Sequence, residues 1–126
     1  MQNNNSKFKI DLKKRAYFFA LEIIKFIDAL PKNDFSGQII AKQLIRSATS
    51  IGANIIEAQA GSTKRDFTNF FSYALKSANE SKFWIGLLRD SGRADKDKTN
   101  KLLQETTEIA NILASSILTL KGKRKF

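Results

Sequence analysis

The chain has 126 residues, 42% hydrophobic and 27% charged, the size and balance of one globular domain with its own core. It carries no cysteine and no histidine, which excludes disulfides, thiolate nucleophiles, the Ser-His-Asp triad and the commonest metal ligand. Basic residues number 22 against 12 acidic ones, and the net charge of +10 points to a polyanion, above all nucleic acid or an anionic membrane surface.

Residues 1–10 are polar and Asn-rich and read as a loose basic arm, with Phe8 and Ile10 able to dock. They lack the apolar core of a signal peptide, and no apolar run is long enough to span a membrane, so a cytoplasmic location is expected. Asp11 can cap a first helix that ends near Leu30, before Pro31. Leu12, Ala16, Phe19, Ile23, Phe26 and Leu30 alternate spacings of four and three, a packing seam. Beside it runs a second apolar set, Tyr17, Ala20, Leu21, Ile24 and Ile27, more than one bundle core needs. Two readings stay open for this set: a thickly buried helix, or a face that meets another subunit.

The short connection PKNDFSG leads, through Asp34 or Ser36 as a cap, into a second helix over about 37–60, and Gly61 suits its C-cap. Its apolar stripe is Ile40, Leu44, Ala48, Ile51, Ile55 and Ala58. A third helix is predicted from about Lys64 to Asp90, with Phe67, Phe71, Ala74, Ala78, Ile85 and Leu88 on one stripe. Phe70, Tyr73, Ser77, Glu80 and Trp84 lie on the next. After the SGRAD turn, Asp95 or Asp97 opens a fourth helix with its seam at Leu102, Thr106, Ile109, Leu113, Ile117 and Leu120, followed by a basic tail over 121–126. Four helices of similar length joined by short loops predict an all-α fold, an up-down-up-down antiparallel four-helix bundle in one domain.

The second helix also carries a polar stripe: Gln43, Arg46, Ser50, Asn54 and Glu57 share one narrow sector. It is poorer in Lys and Glu than a solvent face, which suggests partial burial. Arg46 and Glu57 are too far apart to pair along the helix, so each needs partners elsewhere, with Ser77 and Glu80 the natural ones. The expected role is a structural network of Arg46, Ser50, Asn54, Glu57, Ser77 and Glu80. The competing reading, a Glu57/Glu80 carboxylate pair for metal or acid–base work, lacks the histidines of di-metal bundles. No Walker or Rossmann loop occurs, and GSTKRDF reads as a solvated helix cap. The Phe and Trp residues fall at core spacing and read as packing rather than base-stacking platforms.

Basic residues cluster near the start, around Arg89 to Lys101, and in the Lys121–Lys125 tail. In an up-down bundle the first and third clusters share one end. Lys7, Lys9, Lys13, Lys14, Arg15, Lys121, Lys123, Arg124 and Lys125 are therefore the candidate nucleic-acid-binding residues, suited to phosphate contact rather than sequence readout.

RSATSIGANIIEA, followed by GSTKRDF and ALKSANESKFWIGLL, resembles the 23S rRNA intervening-sequence protein family. The family's Arg-x-x-x-Ser-Ile-x-x-Asn pattern falls on Arg46, Ser50, Ile51 and Asn54, its following glutamate on Glu57, and its Ser-x-x-Glu element on Ser77 and Glu80. Many members have Glu-Gly where this chain has Glu57-Ala58. The resemblance implies a four-helix bundle, a pentameric assembly with a basic surface, and kinship with accessory proteins of diversity-generating retroelements. The resulting expectation is a non-enzymatic homo-oligomer, without cofactor or metal, that associates with RNA or DNA. The alternative is a protein-interaction scaffold or adaptor for a nucleic-acid enzyme, with no nucleic-acid contact of its own.

Overall fold

The structure, a computed structural model, describes the chain from Asn4 to Lys125 and the side chains from Leu12 to Gly122. Four helices account for nearly all of it: α1 (Asn4–Asp28), α2 (Phe35–Ala60), α3 (Lys64–Asp90) and α4 (Lys96–Lys125). Each packs on its neighbours in sequence and α1 closes against α4, while among the described residues the diagonal pairs do not meet. The result is the antiparallel four-helix bundle expected from the seams. Among the described residues packing is most extensive between α2 and α3 and least between α1 and α4.

The core follows the seams closely. Leu12, Ala16, Phe19, Ile23 and Leu30 of α1 meet Leu44, Ala48, Ile51, Ile55 and Ala58 of α2, Phe71, Ala74, Ala78, Ile85 and Leu88 of α3, and Ile109, Leu113 and Ile117 of α4. Thr106 is fully buried at its seam position, its hydroxyl donating to the Leu102 carbonyl at 2.6 Å. That back-bond lets a polar side chain occupy an apolar site.

The ends differ from expectation in informative ways. Helix α1 begins at Asn4, so Asp11 lies within it rather than capping it, and residues 4–10 extend the helix instead of forming a loose arm. Likewise α4 continues to Lys125, making most of the basic tail helical. Asp34 occupies the N-cap of α2 yet makes no capping bond. Its carboxylate accepts instead from Arg93 Nε at 2.9 Å, joining the α1–α2 and α3–α4 connections at one end of the bundle. Thr63 caps α3 by accepting from the Asp66 N–H at 3.0 Å, and Lys64 and Arg65 beside it are exposed, as a solvated cap predicts.

The two glycine turns work differently. Gly92, at φ 76°, closes α3 with Arg93 N–H donating to Leu88 O and Gly92 N–H to Arg89 O, the paired bonds of a Schellman end. Gly61 has φ −68°, outside the left-handed region. A side chain there would sit 3.2 Å from Asp66 Cβ and 3.3 Å from the Ala58 carbonyl oxygen, so the turn approaches closely and leaves little room beyond glycine.

Candidate nucleic-acid interface

The polar stripe is built where α2 and α3 lie side by side. Arg46 Nη2 stands 3.8 Å from Glu80 Oε2 and also donates to Gln43 Oε1. Glu80 Oε2 accepts from Trp84 Nε1 at 3.2 Å. The Arg46 and Glu80 side chains are 67% and 41% exposed, whereas Gln43, Ser50 and Asn54 are half-buried, so the stripe is partly covered in a single chain. Ser50 donates to the Arg46 carbonyl at 2.7 Å and Asn54 to the Ser50 carbonyl at 2.9 Å, which ties both to their own helix. Glu57 is exposed, and the Ser77 carbonyl serves Ser81.

The buried polar contact between these helices involves a different pair. Ser47 Oγ and Ser81 Oγ are 2.9 Å apart, with Ser81 also donating to the Ser77 carbonyl at 2.8 Å. Sequence reasoning passed over both, although Ser81 falls three residues after Ala78 and four before Ile85, on the core stripe. This pair sets the register, placing Glu57 level with residue 71, nine positions from Glu80. The rise per residue makes that about 13 Å, so the two carboxylates form no pair. Among the described residues no cluster of acidic side chains has metal-binding geometry.

The terminal lysines are placed in part. Lys13, Lys14 and Lys121 are exposed, whereas the side chains of Lys7, Lys9, Lys123, Arg124 and Lys125 lie outside the described residues. Arg15 is committed elsewhere: Nη2 donates to Glu105 Oε1 at 2.6 Å and Glu108 Oε1 at 2.7 Å, and Nε donates to Glu105 Oε2 at 2.9 Å. The hydrogen bond to Glu105 is the largest influence holding its guanidinium pKa above the ordinary value. The Arg15 bond, with a second from Gln104, holds the Glu108 carboxyl below its ordinary range. Arg15 is thus an α1–α4 clasp rather than a free phosphate ligand. The same clasp sets the register of these helices. Lys13 is roughly level with residue 108, and Lys121 lies thirteen residues farther along, about 20 Å away. The two clusters share an end but are staggered along it.

Above the clasp the α1/α4 seam opens into two recesses. One, about 480 Å³, is lined by Lys14, Arg15, Phe18, Phe19, Glu22, Lys101, Leu102 and Glu105. The other, about 450 Å³, continues past Lys25, Phe26, Leu30, Arg93 and Lys98. Lys98 and Lys101 belong to the middle basic cluster, which the sequence left without a role.

The aromatic residues depart most from expectation. Phe19 and Phe71 are buried, but Tyr17, Phe18, Phe35, Tyr73 and Phe83 are each about half exposed or more. The second apolar set of α1 is likewise largely open, with Tyr17, Leu21 and Ile24 exposed, so the reading of a thickly buried helix does not hold for one chain. Ala16 packs beside Gly52, where an added Cβ would sit 3.6 Å away, and this contact places Ile45 and Ile56 of α2 along the same face.

The family model described as 23S rRNA-intervening sequence protein matches residues 9–115. The fold is also similar to a crystal structure of a protein of unknown function from the S23 ribosomal protein family of Bacteroides thetaiotaomicron VPI-5482. The identity is 35%, over 84% of this chain and 97% of that one, with a TM-score of 0.79. No curated protein matches the sequence.

Proposed function

We propose, since the chain belongs to the 23S rRNA-intervening sequence protein family, that it is a non-catalytic bundle which assembles with copies of itself and associates with nucleic acid through the phosphate backbone. The observation that carries this reading is the uncompensated charge of +10, which supplies a field attractive to any polyanion. Exposed Lys13, Lys14 and Lys121 belong to that field, and the ribosomal RNA inserts in the family's name make structured RNA the first ligand to try. Self-association, a pentamer on the family resemblance, is supported by the open apolar face of Tyr17, Leu21 and Ile24. Among the described residues no buried polar side-chain atom lacks a partner and no helix is long and apolar enough to cross a membrane.

The test is a titration of the full chain against structured RNA, duplex DNA and an acidic protein across a salt series. A steep fall of affinity with salt supports backbone binding, and a preference for RNA supports a ribosomal target. Neutralising Lys7, Lys9, Lys13, Lys14, Lys123, Arg124 and Lys125 together should abolish that binding while the bundle stays folded. The same open apolar face favours a second reading, a scaffold that engages a nucleic-acid enzyme and does not bind nucleic acid itself. Absence of any nucleic-acid affinity at physiological salt would select it.

A further inference from the structure

Helix α1 presents two unlike outward faces. Toward α2 it shows the apolar stripe already described. Toward α4 it borders the two recesses, which share Glu22, Lys101 and Leu102 and therefore form one trough along the seam. Lys14 and Lys25, both on its rim, lie eleven positions apart on α1, about 16 Å.

Its charges are unevenly spent. Glu105 is tied to Arg15 at 2.6 Å, and Glu22 stands 3.9 Å from Lys25. Asp95 accepts from the Lys98 backbone N–H, not from its ammonium. The ammonium groups of Lys14, Lys98 and Lys101 make no ion pair among the described residues, so the rim offers three uncommitted cations. At the same rim Phe18 is 59% exposed, while the adjacent Phe19 fills the core. An apolar partner helix would use the ring but leave the cations unpaired. A duplex would use the cations but has no exposed base face for the ring. A flexible polyanion with exposed aromatic bases uses both.

Resting on the nucleic-acid reading proposed above, we infer that the α1/α4 trough holds single-stranded nucleic acid, with phosphates on Lys14, Lys98 and Lys101 and a base stacked on Phe18. RNA and DNA share this chemistry.

The experiment measures binding of the full chain to labelled single-stranded RNA and DNA of about ten nucleotides and to a duplex of equal length, across salt. The variants are Lys98→Gln/Lys101→Gln, Phe18→Ala and Phe18→Tyr, each checked by thermal melting. Single strands should bind more tightly than the duplex. The double lysine variant should lower the single-strand salt slope by about 1.4, roughly 0.7 for each phosphate no longer neutralised. Phe18→Ala should weaken single-strand binding about tenfold with the slope unchanged, and Phe18→Tyr should restore it. If nucleic acid binds but these variants behave as wild type, or duplex binds as well as single strands, the trough assignment is overturned and the broader reading stands. If the wild-type chain binds no nucleic acid, both fail.

Discussion

Ser47 Oγ and Ser81 Oγ meet at 2.9 Å between α2 and α3, each side chain almost completely buried. Small side chains at these two places let the helices approach. With one proton each, Ser81 donates to the Ser77 carbonyl at 2.8 Å while Ser47 donates to Ser81, the Leu44 carbonyl at 3.2 Å being its alternative acceptor. Each hydroxyl proton therefore has an acceptor within the protein.

Replacing either serine by alanine should cost about 1 kcal/mol, and the double alanine variant should cost less than the sum. Ser81→Leu should cost about 1–3 kcal/mol by forcing the helices apart. Urea melts of the four variants measure this. Additive single losses would show that the hydroxyls do not act as a pair.

At one end of the bundle the Asp34–Arg93 bridge links the two connections that share that end, with both side chains about two-thirds covered. Arg93→Ala should lower stability by about 0.5–1 kcal/mol. Gly37→Ala should cost no more than Arg93→Ala, because its new Cβ would displace only the end of the Asp34 side chain from Arg93 while alanine favours the helix. Adding Asp34→Ala to Gly37→Ala should relieve the clash and add little further loss, as read by thermal melting.

The Arg15 clasp gives an acid-sensitive term. The Glu108 pKa is depressed in the folded chain, first by the Arg15 hydrogen bond, so its stabilisation is present above the ordinary value of 4.5. It is lost as pH falls through the depressed value. Arg15, raised from an already high value, stays protonated throughout and adds no slope. Melting temperature should fall more steeply in acid for the wild type than for Glu108→Gln. Parallel pH profiles would show that the pair contributes nothing.

Arg46 separates stability from assembly. Because its side chain is 67% exposed in one chain, Arg46→Leu should change the stability of the isolated bundle by no more than about 0.5 kcal/mol. If the polar stripe lies between subunits, the same variant should shift the protein to smaller species in light scattering. A large loss of monomer stability would mean that Arg46 supports the fold itself.

The open face of α1 makes a parallel prediction. Leu21→Lys with Ile24→Lys should leave the helical content unchanged and yield monomers, since two charges would be buried without partners in any contact there. Unchanged molecular mass would place the subunit contact on another face.

Periodicity alone determined the four helices, their order and most of the core. A seam repeating every three to four residues has one way to be buried, and short loops leave only antiparallel neighbours. Helix ends were less legible. Asp34 has the composition of a cap, but its carboxylate is drawn to Arg93, fifty-nine residues away, a partner no local pattern can reveal. The same limit applies to Arg15, which sequence placed among free cations and the fold delivered to Glu105 and Glu108. The aromatic residues show the converse. Helical spacing says which side chains share a face, but not how far the core reaches around the helix. That depends on how closely α1 and α4 approach, so Phe19 is covered while its neighbour Phe18 is left at the rim of an open trough. Local free energies wrote the helices into the chain; which cations stay unpaired and which rings stay exposed was settled only when the helices met.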